Sequence, residues 1–443
     1  MPKKSNKLKK RSVGKRLVKK PGLCGRKIIY LDNNATTLIC PEAENVYKHW
    51  LQCYNPSSSS QVSKSANAMM ERVRRAILKH CGTGSDVYTV VFTSGATESN
   101  CFILRSCVES YRKIRQVKPH IIISEVEHHS IMECARAIEE AGYAEVTRVA
   151  PNMYGCVLPG DVEKAIRSNT CLISIMYANN EVGSVNNIPK IGEVAHKHKI
   201  PMHTDAVQIF GKYPVLVEKN NIDAMSVSFH KLYGPKGIGL IVLKNDLIDG
   251  YDLKGQISGS QEHGLRGGTE NLPAIASCFE ALKCNFKNRR VKNQRLVGMR
   301  NFIIDSFGDL GVGGVRLGEY SKYLDGQFVK SLVEPEIVVL GPPRDKENYY
   351  LPNTLLVSIV KPGKEFCNVN FKKDLDKHGV VLSIASACLT SSDKASHVLT
   401  AIGAPDIIKR GVVRISLGDG NTMDEMRVFV ARFLSVLKTH LKL

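Results

Sequence analysis

From Tyr88 onward, short runs of β-branched and other apolar residues alternate with longer stretches whose apolar positions recur at helical spacing. Residues 88–92, 121–124, 172–176, 201–204, 224–228 and 239–242 read as buried strands, each bounded by Gly, Pro, Asn or other polar residues. Helices are predicted between them, as at 98–114, 130–141 and 189–198. Strand–helix–strand repetition means a largely parallel sheet covered on both faces, which places binding residues in the loops at the carboxyl ends of the strands. After Pro273 a basic, mostly helical stretch (274–307) leads to a second region, with strands at 353–359 and 412–417 and a helix at 423–438. Residues 332–351, rich in Pro, Gly and charge, read as an exposed loop with one short apolar strand. The chain contains no internal repeat.

Composition changes this picture in three places. With 443 residues, 43% hydrophobic and 23% charged, the chain has ample material for a core, which excludes wholesale disorder, collagen and small disulfide-stapled scaffolds. No apolar run approaches the roughly 18 residues of a membrane span. The net charge of +20 is unevenly placed: residues 1–30 hold twelve Lys and Arg, the first acid is Asp32, and the remainder carries 50 basic against 42 acidic residues. Residues 1–27 therefore read as a solvated basic arm. The arm lacks the apolar segment of a secretory signal; attraction to nucleic acid, an anionic surface or a nuclear import receptor and a plain solubilising role both fit it. Thirteen cysteines with no Cys-x-x-Cys pair give neither a zinc spacing nor a secreted framework. A reduced intracellular chain is expected, with most cysteines acting as small hydrophobes and no metal site.

Three segments carry chemistry. Lys231 follows an apolar strand and precedes the turn Gly234-Pro235-Lys236-Gly237. A lysine buried at a sheet's carboxyl edge has a lowered pKa and suits Schiff-base formation, whereas a single lysine near a turn commonly just faces solvent. Asp205 closes the apolar run before Ala206-Val207-Gln208; buried, it needs a cationic donor such as a pyridinium nitrogen, and exposed, it would simply cap a helix. Thr93-Ser94-Gly95-Ala96-Thr97-Glu98 joins a strand to a helix, which makes either an anion site or an ordinary cap.

Together these segments resemble the fold-type I pyridoxal 5'-phosphate (PLP) enzymes of the class V aminotransferase group, and within it the cysteine desulfurases of the nitrogen-fixation and iron–sulfur-cluster type. The resemblance runs from about residue 28 to 437. It includes Tyr30-Leu31-Asp32-Asn33-Asn34-Ala35-Thr36-Thr37, Asn55-Pro56-Ser57-Ser58, Glu127-His128, Asn179-Asn180-Glu181-Val182-Gly183, His230-Lys231, Arg266-Gly267-Gly268-Thr269-Glu270-Asn271, Leu351-Pro352-Asn353-Thr354-Leu355, Ser386-Ala387-Cys388 and Arg414-Ile415-Ser416-Leu417-Gly418. It implies an α/β PLP-transferase fold, with a large domain built on a mostly parallel seven-stranded sheet flanked by helices and a smaller α+β domain. The expected division is the arm (1–27), the large PLP-binding domain (28–290), whose first residues join the small domain, and the small domain (291–443) with the catalytic cysteine loop.

The resemblance also implies roles. Lys231 would bind PLP covalently and shuttle protons, Asp205 would hold the pyridine nitrogen protonated, and Gln208 and Asn180 would bond the ring oxygen. His128 would stack on the ring and act in catalysis. Ala96, Thr97, Ser228 and His230 would hold the phosphate, joined by Thr269 of the second subunit of a homodimer. Asn34, Asn180 and Arg414 would bind the substrate, with Arg414 clamping its carboxylate. Cys388, in a small, polar stretch, would take sulfur from L-cysteine as a persulfide, leaving L-alanine, and pass it to an acceptor such as an iron–sulfur scaffold or a thiolated tRNA. The chain departs from the usual pattern at Ser60, Ser63, Ala385, Asp419-Gly420 and the segment Gly259-Ser260-Gln261-Glu262-His263, which marks a divergent member. The alternatives are a selenocysteine lyase or other class V PLP enzyme, or a non-catalytic scaffold binding nucleic acid through the arm. The cytoplasm is the expected compartment, with a mitochondrion-related organelle or the nucleus opened by the arm.

Overall fold

The structure, a computed structural model, describes residues 28–308, 316–324, 332, 334–343, 350–361, 363, 366–384 and 396–442. The basic arm and Cys388 lie outside the described residues. The chain enters through β1 (Ile29–Tyr30), α1 (Pro41–Trp50) and α2 (Lys64–His80). The main sheet is then built from β2 (Tyr88–Thr93), β3 (His120–Ser124), β4 (Glu145–Val149), β5 (Thr170–Ser174), β6 (Met202–Asp205), β7 (Ala224–Ser228) and β8 (Gly239–Lys244). Between these strands run α3 (Ala96–Arg115), α4 (His129–Glu140), α5 (Pro159–Ala165) and α6 (Ile188–Lys197), and α7 (Asn245–Tyr251) follows β8. The strand order is β2-β8-β7-β6-β5-β3-β4, and β8 runs against both its neighbours while the rest are parallel.

The period-2 pleat divides the apolar runs between two cores. Ile121 and Ile123 of β3 face α3 and α4, packing with Phe102, Ile103, Ile131 and Leu172. Ile122 faces the opposite side with Ile173, Met202, Met225, Val73 and Ile77. Every residue of β3, β5, β6 and β7 is buried, as central strands covered on both faces must be. Truncating one of these aliphatic side chains to Ala would cost about 2–5 kcal/mol.

The sheet lines up its chemistry along one edge. Register pairs Asp205 with Ser226, Ser228 with Gly239, and Thr93 with Gly239. The carboxyl ends of β2, β6 and β7 and the amino end of β8 therefore share that edge. The loops after β3 and β5 add His128 and Asn180 there.

The expected single helical stretch 274–307 is two helices, α8 (Leu272–Phe286) and α9 (Arg289–Gly308). Asn288 adopts a left-handed φ of 55°, which breaks the helical path between them. A second sheet follows, of β9 (Arg316–Glu319), β10 (Glu336–Leu340), β11 (Thr354–Val360) and β13 (Val412–Ser416), in the order β13-β11-β10-β9. Strand β12 (Val380–Val381) pairs in parallel with β1. Ile29 and Leu31 accordingly join the core of the C-terminal region with Met299, Ile303, Val357, Phe371, Phe429 and Phe433. Four strands, the two-residue β1 and β12 together with β4 and β9, have no counterpart in the sequence reading. In β4, Glu145 and Arg148 interrupt the apolar pattern, because the strand is a half-exposed edge. Among the described residues no helix is long and apolar enough to cross a membrane.

Candidate active site

A cavity of about 650 Å³ opens at the carboxyl edge of the main sheet, and its lining includes Asn34, Ala96, Thr97, His128, Asn180, Asp205, Gln208, Ser228, His230, Lys231 and Arg414. Every site residue expected from sequence that lies among the described residues stands here except Thr269. Thr269 is exposed and lines an adjoining groove with Phe92, Arg266 and Glu270, which shares Ser94 and Gly237 with the cavity.

Lys231 ends a single 3₁₀ turn directly after β7. Its Nζ donates to the carbonyls of Asn34 at 2.5 Å and Ala35 at 2.6 Å. Burial, reinforced by the Arg414 guanidinium, lowers its pKa from 10.5 to about 8, so the amine reaches its nucleophilic neutral form near physiological pH. Neighbouring His230 is pushed down to about 4 by burial and then by Lys231 and Lys236. It is therefore a neutral hydrogen-bonding group, with Nδ1 3.1 Å from Thr36 Oγ1.

Asp205 ends β6 and is 4% exposed. Its carboxylate accepts from Asn100 Nδ2 at 2.8 Å and from the Val207 N–H at 2.9 Å. The same Asn100 amide donates to Ser130 Oγ at 2.9 Å, which lies 2.9 Å from His128 Nδ1. The backbone N–H of Ser130 also donates to His128 Nδ1. That atom must therefore be the acceptor of the ring, which leaves the ring proton on Nε2. Burial lowers the His128 pKa, in keeping with a neutral ring. Asn100 and Ser130 thus hold the carboxylate and the imidazole in one network. The sequence reading assigned neither a role, although Asn100 stands two positions after the Thr93–Glu98 segment.

Arg414 reaches the cavity from β13 and is 8% exposed. Its Nη2 pairs with Asp32 Oδ1 at 2.8 Å and its Nη1 donates to the Asn180 carbonyl at 3.0 Å. Its Nε is buried and has no hydrogen-bond partner. Asn34 is gripped from three sides, donating to Thr354 Oγ1 and the Asn180 carbonyl and accepting from Asn353 Nδ2. Asp32 is a further member that was quoted in sequence without a role.

The donor set fits PLP. The first turn of α3, at Ala96 and Thr97, presents unpaired backbone N–H groups to the cavity, suited to a phosphate. Gly239 lets that turn approach, since a Cβ there would lie 2.6 Å from the Gly95 backbone. Buried Asp205 suits a protonated ring nitrogen, and Gln208 Oε1 and Arg414 Nε are buried polar atoms still wanting partners. At the rim, Ser383 exchanges backbone hydrogen bonds with Arg414. Ser396 donates to Glu181, and His397 Nε2 lies 2.8 Å from the Glu127 carbonyl. Both flanks of the segment that contains Cys388 are therefore anchored at the cavity.

Comparison with known proteins gives the family and the fold. Residues 29–301 match the aminotransferase class-V family. The chain is 33% identical over 405 residues to the cysteine desulfurase IscS of Dictyoglomus turgidum, covering 90% of this chain and 91% of that protein. It is 32% identical over 415 residues to the mitochondrial cysteine desulfurase of Saccharomyces cerevisiae, covering 91% and 73%. Among solved structures, a NifS-like protein aligns with a TM-score of 0.78 at 28% identity, covering 93% of this chain and all of that one. A structure of SspA in complex with cysteine aligns with a TM-score of 0.69 at 29% identity, covering 89% and 99%.

Proposed function

The chain belongs to the aminotransferase class-V family and, within it, to the cysteine desulfurases; from that premise we propose that it uses PLP to convert L-cysteine to L-alanine, taking the sulfur on Cys388 as a persulfide. The observation that carries this reading is the meeting of Lys231, Asp205 and Arg414 in one cavity, from the ends of β6 and β7 and from β13. A scaffold that only bound nucleic acid would need none of the three gathered there. The cysteine of the Ser386-Ala387-Cys388 segment separates sulfur transfer from transamination.

Bound PLP supplies an electron sink for negative charge at the substrate Cα. Lys231 would hold the cofactor aldehyde through Nζ and, once free, move the proton at the substrate Cα. Its lowered pKa makes the neutral amine easier to reach for both tasks. Asp205 would face the ring nitrogen, while Gln208 and Asn180 would bond the ring oxygen. Ala96, Thr97, Ser228 and His230 would receive the phosphate, and in a homodimer Thr269 of each copy would complete the other's phosphate subsite. His128, with its proton on Nε2, would lie against the ring. Arg414 would take the substrate carboxylate, using the Nε donor that is unpaired in the structure. The Cys388 thiolate would attack the substrate sulfur, so that an S–S bond forms as the Cβ–S bond breaks. The carbon skeleton gains a proton at Cβ and leaves as alanine, and the persulfide passes to an acceptor thiol for iron–sulfur cluster assembly or tRNA thiolation. The twelve cations of residues 1–30 suit contact with nucleic acid or an import receptor and stand apart from this chemistry.

The test is covalent trapping. Borohydride treatment of the purified holoprotein should fix the cofactor to the peptide containing Lys231 and abolish turnover of L-cysteine, and Lys231→Ala should show neither labelling nor turnover. Labelling of another lysine, or turnover by Lys231→Ala, would overturn the assignment.

A further inference from the structure

Away from the cavity, the side chains of Cys40, Glu42 and Cys284 converge, with their ligating atoms all within 4.8 Å of one another. Cys40 immediately precedes α1, Glu42 lies in its first turn, and Cys284 lies near the end of α8. We propose that these three residues form a binding site for a soft divalent cation of the zinc type, clasping α1 to α8.

The residue types argue for it. Two thiols and one carboxylate are a donor set for zinc, which takes Cys sulfur and carboxylate oxygen and leaves a fourth position to water. Cys40 occupies the N-cap of α1, where Ser, Thr, Asp or Asn would bond the free N–H groups, and its side chain makes no capping bond. Its sulfur is thus not spent on the helix. Glu42 receives the Cys284 thiol, with Sγ 3.5 Å from Oε2, and forms no ion pair among the described residues. Without a cation Cys284 keeps its thiol proton: burial, the Cys40 thiol and the Glu42 charge push its pKa up to about 12. A divalent cation would displace thiol protons and neutralise the thiolates. Lys292 Nζ donates to the Cys284 carbonyl at 2.6 Å and pairs with Asp419, which fixes the backbone at Cys284. The motif is invisible along the chain because Cys284 stands 242 residues from Glu42, far outside any zinc-finger spacing.

The site borders the catalytic segment. The Cys40 N–H donates to the Tyr233 carbonyl at 2.8 Å, and Thr37 bonds both the His230 carbonyl and the Tyr233 N–H. Ser277 Oγ donates to the Ala43 carbonyl at 2.7 Å, so the helices already meet below the cluster. A bound cation would fasten the chain over residues 37–40 against the turn that carries Lys231.

Zinc content of the reduced holoprotein tests this, measured by mass spectrometry after equilibration with zinc and removal of the excess. A Cys388→Ser background keeps the proposed nucleophile from acting as a ligand. There, one zinc per chain is expected, and a further Cys284→Ser change should remove it. Glu42→Gln, at an exposed position, should leave the fold intact and raise the zinc concentration for half-occupancy by about tenfold or more. Added zinc should raise the melting temperature of the background protein and not of its Cys284→Ser form. Equal zinc content with and without Cys284, or no zinc in the background protein, would overturn the proposal, as would unchanged affinity in Glu42→Gln.

Discussion

Lys231 shows how a residue's surroundings set its chemistry. Held by two carbonyls, buried, and near Arg414, its amine has a pKa of about 8 in place of 10.5. In cofactor-free protein, reductive methylation of Lys231 should therefore follow loss of one proton near pH 8. Arg414→Gln removes a repelling cation and should move the midpoint upward; a midpoint near 10.5 in the unaltered protein would contradict the burial argument. Between pH 8 and 10.5 the unfolded lysine binds more protons than the folded one, so this group makes the cofactor-free fold gain stability as pH rises through that window. Asn100 is the second test at this scale. Its amide bridges Asp205 and Ser130 inside the protein, and a buried hydrogen bond to a charged group contributes about 1.5–3 kcal/mol. Asn100→Ala should weaken PLP binding by about tenfold or more, since 1.4 kcal/mol is a factor of ten. Fluorescence titration of cofactor-free protein would measure it, and unchanged affinity would show that the bridge does not hold Asp205.

At the scale of elements, strand β2 lies at an edge of the main sheet, where unpaired backbone groups need cover. The Glu262 carboxylate accepts from the Phe92 N–H at 2.7 Å and from both terminal nitrogens of Arg74 at 3.0 and 2.7 Å, while Arg74 Nη1 also donates to the Val90 carbonyl. The pair is 1% exposed at Glu262 and 9% at Arg74. Glu262→Gln should destabilise the fold by about 3–5 kcal/mol, the cost of leaving a buried charge unpaired, seen in urea unfolding. A loss below about 1 kcal/mol, the range of a surface pair, would mean that the edge is held otherwise. The segment Gly259–His263 that departs from the usual family pattern thus carries a structural carboxylate. The main strands and helices were legible because their apolar period is clear and their ends are punctuated. Strand β4 was not, because an edge strand with Glu145 and Arg148 lacks that period, and the break at Asn288 follows from one left-handed residue that composition does not mark.

Across the whole molecule, the sequence placed Lys231, Asp205 and Arg414 far apart along the chain, and the fold brings them into one cavity. They were legible as a set because each lies in a segment that resembles the family. The supporting groups were not. Asn100 reaches Ser130 and Asp205, and Asp32 reaches Arg414, through hydrogen bonds across 30 to 382 positions, and Cys40 and Cys284 meet from helices that are far apart in the chain but packed together. Charge divides in the same way: the excess is concentrated in residues 1–30, while the body that holds the site is almost balanced. The central proposal is that sulfur leaves L-cysteine on Cys388. The direct measurement is a single turnover of holoprotein with substoichiometric L-cysteine and no reductant, followed by quantification of alanine and mass mapping of sulfane sulfur. One alanine for each persulfide, found on the peptide containing Cys388 and absent from Cys388→Ala, is the expected result. Alanine formed at the wild-type rate by Cys388→Ala, or sulfur mapped to another cysteine, would contradict it.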